Sequence, residues 1–288
     1  MITVTPSGQA CGASVTGVDL SKPMDGTTLT EIRRAWIDHH VLAFPDQKLT
    51  DPDLEQLTEC FGDFGNEPYF VPIDGSDHVV ALTRRADEKA PVFAETWHAD
   101  WSFLENPPIA TILYSLVIPP VGGDTGFINQ QKALADMPAD LRARLEGKVA
   151  IHTAAGAYAP DGRYGEGEKD SDRSMKILYS EDAKNTQTHP LIQVHPESGR
   201  ETLYCTKGYI MGFDGMDREE SKQLLNDLYA WQTRPEFQYM HKWEAGTFVI
   251  WDNRCTMHAA TGFDSAAHHR EMWRITLNAQ TGAAQAAA

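Results

Sequence analysis

From Trp97 onward the chain breaks into short apolar runs, each closed by turn residues and not alternating regularly with helices. Ile109–Ile118 is the longest, ended by Pro119-Pro120 and followed by a Gly122-Gly123-Asp124 turn. Leu191–His195 and Thr202–Thr206 flank Pro196-Glu197-Ser198-Gly199, the pattern of a hairpin. Phe248–Trp251 and Trp273–Leu277 read as further strands. A parallel α/β sheet needs strand and helix in turn, so this texture argues against one. It predicts a mainly β protein with added helices, either an open barrel or a jelly roll.

The helices are expected at particular places. Leu29, Ile32, Trp36 and Ile37 form an apolar stripe over Thr28–His40, broken by Arg33. Thr50-Asp51-Pro52-Asp53 carries an N-cap hydroxyl, an early proline and an acid three residues on. These are start signals for a helix through Leu54, Leu57 and Cys60, stopped at Gly62 and Gly65. Further helices are expected over Pro138–Lys148 and over Asp217–Trp231, the latter with an Asp217…Glu220 capping pair. The helical additions thus fall at about 26–62 and 216–233. Small and β-branched residues alternate from Met1 to Asp19, which reads as short strands. Residues 153–190 are polar, glycine-rich and weakly periodic, as in a lid insertion or a surface excursion. The Ala-rich stretch from about 279 to 288 is expected to be disordered.

At roughly 150 residues per domain, 288 residues allow one large domain or two small ones; with no linker or repeat, a single domain over 1–288 is expected. A net charge of −16 repels phosphate backbones and anionic lipids, which disfavours nucleic acid and membrane as partners. No apolar run approaches the ~18–20 residues that span a bilayer, and the N-terminus lacks a signal-peptide pattern. Cys11, Cys60, Cys205 and Cys255 are scattered, against a disulfide framework or a structural zinc cluster. A cytoplasmic enzyme is the expectation.

The chemistry concentrates in a few positions. Within Trp97–Phe103, His98 and Asp100 are two apart, and on a strand such residues face the same side. Far downstream, Phe248–Arg254 leads to His258. Two histidines and one carboxylate are the facial triad of non-haem Fe(II) oxygenases. Arg270 lies twelve residues past His258 and Arg274 four further, so both guanidiniums point to one side of a strand. The planar fork of arginine matches a carboxylate. Thr125, after the glycine turn, places a hydroxyl suited to the same anion. Taken singly, each has a plainer reading: a surface histidine, an ion-paired arginine, a strand threonine.

Together these residues resemble the taurine/2,4-dichlorophenoxyacetate dioxygenases, the TauD/TfdA family, along nearly the whole chain. The shared pieces include Gly12–Leu20, Val41–Gln47, Phe61-Gly62, Trp97–Asp100, Gly122–Thr125, His195–Gly199, Trp251–Arg254 with His258, and Arg270-x-x-x-Arg274. The resemblance implies a double-stranded β-helix, a jelly-roll core with added helices. It implies His98, Asp100 and His258 as Fe(II) ligands, and Arg270 with Thr125 as holders of the distal carboxylate of 2-oxoglutarate. Arg274 would lie near the keto-acid end and the substrate; Trp97 and Trp251 would be walls. The implied reaction consumes O₂ and 2-oxoglutarate, yields succinate and CO₂, and hydroxylates a substrate C–H, with loss of the group where a heteroatom is attached. A small-molecule substrate and a homodimer or tetramer are also implied.

The substrate positions depart from the taurine-using pattern, which has a histidine and a tyrosine after the first Phe-Gly segment and an asparagine before His-x-Asp. Here Glu67, Phe70 and Ala94 stand there, which disfavours taurine. Glu67 and Glu95 could greet an amine, Arg274 permits a carboxylate, and Tyr69, Phe70, Tyr204 and Tyr209 are expected around the pocket. The expected substrate is therefore a small organic acid or zwitterion. His152, His189, His195 and His241, and His268-His269, are expected in core or surface roles. Two rivals stand beside the oxygenase: a non-catalytic metal-binding jelly roll sensing a small acid, and a metalloenzyme independent of 2-oxoglutarate. The Arg270/Thr125 pair favours the oxygenase.

Overall fold

The computed structural model describes residues 1–168, 171–264 and 267–281. The chain opens with β1 (Thr3–Pro6), β2 (Ala13–Thr16), α1 (Gly26–His39), β3 (Val41–Phe44), α2 (Asp51–Glu59), β4 (Asp63–Phe64) and β5 (Val80–Arg84). The middle holds β6 (Ala110–Val117), β7 (Thr125–Asn129), α3 (Gln130–Ala135), α4 (Ala139–Ala143), β8 (Val149–Thr153) and α5 (Ala155–Tyr158). The last part is β9 (Thr186–Pro190), β10 (Ile192–Val194), β11 (Glu201–Leu203), β12 (Ile210–Phe213), α6 (Arg218–Gln232), β13 (Gln238–His241), β14 (Phe248–Asp252), β15 (Thr256–Ala260) and β16 (Arg270–Asn278).

The large sheet has the order β1-β2-β3-β14-β6-β16-β4, with β5 also on β16. Its central strands are apolar on both faces because both are covered, and the period of two decides which residue goes where. Phe248 and Ile250 of β14, Leu42 and Phe44 of β3 and Ile112 of β6 pack against Ile32 and Trp36 of α1 and Leu54 and Leu57 of α2. Their neighbours Val249, Trp251, Val41, Ala43 and Leu113 face the other way, onto Phe127 and Tyr239. Those two belong to the small sheet β13-β7-β15. The two sheets sandwich this second core in the jelly-roll manner. On β16 the same alternation sends Ile275 and Leu277 to the helices and Met272 between the sheets. Arg270 and Arg274 share the parity of Met272 and so lie on the inner face.

Local signals explain most boundaries. In α2 the Thr50 hydroxyl accepts from Asp53 N, and Asp53 accepts in return from Thr50 N, the reciprocal box the sequence encodes. α1 starts two residues before the expected Thr28, because Asp25 accepts from Thr28 N. The helix expected over Pro138–Lys148 shrinks to α4; its N-cap Pro138 supplies no side-chain acceptor, and Gly147, at φ +65°, turns the chain into β8. α6 is capped by Asp217, which accepts from Glu220 N. Leu191–His195 and Thr202–Thr206 meet as the antiparallel β10–β11 hairpin. Within the 153–190 stretch, Tyr158, Tyr164, Met175 and Ala183 pack on Tyr69, Phe70, Trp101 and Phe103. The tail expected to be disordered falls outside the described residues from 282 on.

The turn from β14 to β15 is fastened by buried charge. Arg254 donates to both oxygens of Asp252, Nε to Oδ1 at 2.9 Å and Nη2 to Oδ2 at 2.6 Å, and reaches Glu197 at 2.8 Å. His195 Nδ1 accepts from Glu197 N and Ser198 N, so its Nε2–H is the donor to Asp252 Oδ2 at 2.9 Å. His195, Asp252 and Cys255 are close enough to share a cation, but Arg254 already occupies both carboxylate oxygens. Burial pushes the Asp252 pKa up, and the charge and hydrogen bonds of Arg254 with His195 override it, holding it well below the carboxylate range. Arg254→Leu should cost about 3–5 kcal/mol at pH 7, since a buried carboxylate loses its partner. A depressed native pKa stabilises above the unfolded value of about 3.9 and ceases to do so as pH falls through the native one. The difference between variant and wild type in urea unfolding should therefore shrink below about pH 4.

Candidate active site

His258 sits mid-β15 opposite Phe127 of β7. His98 forms a one-residue antiparallel bridge with it, through His98 N to His258 O at 3.0 Å and His258 N to His98 O at 2.7 Å. This brings the two rings to 4.2 Å between centroids. The strand expected at His98–Asp100 is only this bridge. The chain then turns, with Trp101 at φ +46°, a strained value for a bulky residue. Asp100 still comes to the same side: its Oδ1 lies 3.7 Å from His98 Nε2 and 3.9 Å from His258 Nε2.

The donor set fits a divalent cation. His98 Nδ1 is 2.7 Å from Thr96 O, which can only accept, so Nδ1 carries the proton and Nε2 presents a bare lone pair. Burial lowers the pKa of both rings, that of His258 to about 3, so both rings are neutral. Asp100 is pushed up by burial but pulled well below the carboxylate range by the Arg274 guanidinium beside it. Its other oxygen is held by a buried relay. Thr111 Oγ1 donates to Asp100 Oδ2 at 2.6 Å, Asn253 Nδ2 donates to Thr111 Oγ1 at 2.8 Å, and Trp251 Nε1 donates to Asn253 Oδ1 at 3.0 Å. The relay fixes the carboxylate so that Oδ1 faces the imidazoles. Sequence reading missed Thr111 in this part; the available signal was a hydroxyl within an otherwise apolar strand.

One cavity beside His258 is lined by Leu82, Leu113, Thr125, Ala260 and Arg270 among others. Arg270 Nη2 donates to Gly123 O at 3.3 Å, and its Nε is buried without a hydrogen-bond partner among the described residues. Burial lowers its pKa to about 10, so it stays charged at neutral pH. Thr125 Oγ1 accepts from Trp243 Nε1 at 2.9 Å, which leaves its own hydrogen available to donate. A guanidinium and a hydroxyl donor thus converge on a cavity that reaches His258.

Arg274 is placed differently from what its spacing suggests. Its Nη1 lies 3.0 Å from Glu67 Oε2 and its Nη2 3.0 Å from Asp100 Oδ1. Phe70 and Trp101 lie 5.2 and 5.0 Å from its Cζ. Glu67 is buried against it and also accepts from Trp101 Nε1 at 3.0 Å. Burial raises the Glu67 pKa to about 7 against the pull of Arg274. Neither residue lines the two cavities that border the histidines.

The second of these cavities adjoins His98, with Phe93, Glu95, Tyr158, Arg163, Tyr164 and Tyr209 in its walls. Of the tyrosines and acids expected around a substrate, Glu95 and Tyr209 are there. Tyr69 is stacked on Tyr158 at 4.1 Å, Phe70 lies against Arg274, and Tyr204 is buried near His152 and His189. Tyr158, Arg163 and Tyr164 come from the 153–190 stretch, whose weak periodicity gave no hint of them.

A family model described as taurine catabolism dioxygenase TauD, TfdA family, matches residues 3–276. The chain belongs to the TauD/TfdA family. It is 34% identical over 267 residues to an alkylsulfatase of Acinetobacter baylyi, covering 92% of this chain and 81% of that protein. It is 30% identical to an alpha-ketoglutarate-dependent 2,4-dichlorophenoxyacetate dioxygenase of Cupriavidus pinatubonensis, covering 96% and 97%. A crystal structure of a taurine dioxygenase from Burkholderia xenovorans superposes with a TM-score of 0.79 at 32% identity, covering 97% of this chain and 90% of that one. The protein is therefore an Fe(II)- and 2-oxoglutarate-dependent dioxygenase of small organic molecules with a jelly-roll core, and the relatives support neither rival reading. For this TauD/TfdA protein, Thr111→Val should weaken divalent cation binding about ten- to a hundredfold, as losses of carboxylate-orienting partners do. Mn(II) titration followed by electron paramagnetic resonance checks it.

Proposed function

We propose that His98, Asp100 and His258 hold the Fe(II) and that Arg270 with Thr125 receives the distal carboxylate of 2-oxoglutarate. The observation that carries this reading is the Arg270 guanidinium, with Nε buried and unpartnered, sharing one cavity with Thr125 and His258. When bound, iron with 2-oxoglutarate and O₂ supplies the oxidising power that hydroxylates a substrate C–H and releases succinate and CO₂. The protein's part is orientation and exclusion of water. Thr96 fixes the His98 tautomer and the Thr111 relay fixes the Asp100 rotamer. The bidentate fork of Arg270 sets the direction of the keto acid. Tyr158, Tyr164 and Phe93 wall the cavity beside His98, where the substrate's reacting carbon would lie.

The substrate in this reading is a small organic acid with an apolar or aromatic body, as the names of the alkylsulfatase and phenoxyalkanoate relatives suggest by analogy. Hydroxylation of a carbon bonded to oxygen gives a hemiacetal-type product that collapses with loss of that group. The acidic net charge of −16 supports the absence of a nucleic-acid or anionic-membrane partner. Among the described residues no helix is long and apolar enough to cross a membrane. We read the chain as one domain, cytoplasmic, and dimeric or tetrameric as the family resemblance implies, with residues 153–190 closing over the substrate cavity.

The test is O₂ uptake and succinate formation with Fe(II), 2-oxoglutarate and a panel of sulfate esters, aryloxy acids and amino acids. Uptake that does not depend on 2-oxoglutarate would remove this reading. Arg270→Leu should raise the 2-oxoglutarate requirement at least tenfold, since a charge-assisted contact to a buried carboxylate is worth about 1.5–3 kcal/mol. The same variant should bind Mn(II) as wild type does.

A further inference from the structure

The two donors offered to an anion in the Arg270 cavity come from different sheets. Arg270 projects from β16 of the large sheet, and Thr125 opens β7 of the small one. Residues 242–247 carry the chain from β13 of the small sheet to β14 of the large one, and Trp243 lies on this crossing. Its Nε1 is 2.9 Å from Thr125 Oγ1, and both side chains are buried. Thr125 lines the cavity and Trp243 does not.

An indole N–H can only donate, so the direction of this bond is fixed. The threonine oxygen uses one lone pair on Trp243, and its hydrogen is repelled from the indole side. That hydrogen has no acceptor among the described residues. A hydroxyl turned away from one wall and unmatched by the others is ready to donate into the cavity, and the bond it accepts polarises it further. The indole is itself held in place. The His241 ring meets it at 88° with 4.6 Å between centroids, His241 Nδ1 lies 3.1 Å from Tyr239 Oη, and Tyr239 stacks on Phe127. His241 is also the partner of Thr125 in the β13–β7 register, so the backbone keeps the two segments at one separation.

We propose that Trp243 is a positioning residue for the cosubstrate: its indole N–H holds the Thr125 hydroxyl so that the hydrogen points to the distal carboxylate in the Arg270 cavity. The inference deepens the reading above and rests on it, since Thr125 must meet that carboxylate. Arg270 supplies the charge, and Trp243 sets the direction of the second donor. A carboxylate at this end accepts from both without either donor having to reorganise on binding.

The test is calorimetric binding of two keto acids to the full chain loaded with Mn(II) in the absence of O₂. One is 2-oxoglutarate; the other is 2-oxopentanoate, which has the same length and lacks the distal carboxylate. Trp243→Phe should weaken 2-oxoglutarate binding about five- to tenfold, the range of a single hydrogen bond, and leave 2-oxopentanoate unchanged. A change that merely loosened the core would weaken both. In Thr125→Val, with no hydroxyl left to orient, Trp243→Phe should add no further loss. A thermal melt confirms folding. Should the phenylalanine variant not fold, β-(3-benzothienyl)alanine in place of Trp243 keeps the ring, lacks the N–H and gives the same readout. Unchanged 2-oxoglutarate affinity, an equal loss for both keto acids, or a loss that persists in the Thr125→Val background would each overturn the proposal. Arg270→Leu and Thr125→Val by themselves judge the reading beneath it. If neither weakens 2-oxoglutarate binding, that reading falls and the inference with it; if both do and Trp243→Phe does not, the inference alone falls.

Discussion

The buried Asp100 carboxylate is the interaction on which the rest of the centre depends. A lone ionised carboxylate between two β-sheets would be prohibitively costly, and the surrounding structure supplies what ionisation needs. Thr111 donates to one oxygen; Arg274 and two neutral imidazoles surround the other. Each supporter arrives from a different element: Thr111 from β6, Arg274 from β16, His258 from β15, and His98 through its backbone bridge to His258. The sandwich is thus the scaffold on which one negative charge stays ionised with an oxygen aimed at two nitrogen lone pairs. The Asp252–Arg254–His195 fastening serves the same end one turn away, because it fixes the path from β14 into the strand that carries His258.

The pairing of Arg274 gives the site its asymmetry. Arg270 and Arg274 share a strand, a face and a side-chain chemistry, yet one keeps a buried, unpartnered Nε and the other is consumed by the protein. The difference comes from Glu67, buried and bonded also to Trp101, whose strained backbone lies just after Asp100. Glu67, Trp101, Arg274 and Asp100 form a single polar cluster within an aromatic shell, so the identity of residue 67 is felt at Asp100 without touching it.

Much of this was legible along the chain because it is governed by local rules. Alternation in β3, β6, β14 and β16 tells which residues face the helices and which face the second sheet. The Thr50 and Asp217 caps announce their helices, and the donor set of two histidines and an aspartate follows from residue chemistry with motif order. Where local rules gave way, the reasons were physical. Pro138 offers no side-chain cap and Gly147 turns the chain, so the Pro138–Lys148 helix is short. The His98–Asp100 segment keeps only one bridge, to His258 of β15, because the chain turns at Trp101.

The sequence by itself determined the mainly β architecture and the side of β16 to which both arginines point, since periodicity and residue chemistry are properties of neighbours in the chain, and its motif order pointed to the family and to three candidate donors. Only the tertiary structure decided that Arg274 is already neutralised, that Thr111 and Asn253 steady Asp100, and that the 153–190 stretch delivers Tyr158 and Arg163 to the cavity. The partner of a buried charge is chosen by proximity in space. Glu67 stands 207 residues from Arg274, and no pattern of spacing reports a contact made across that distance.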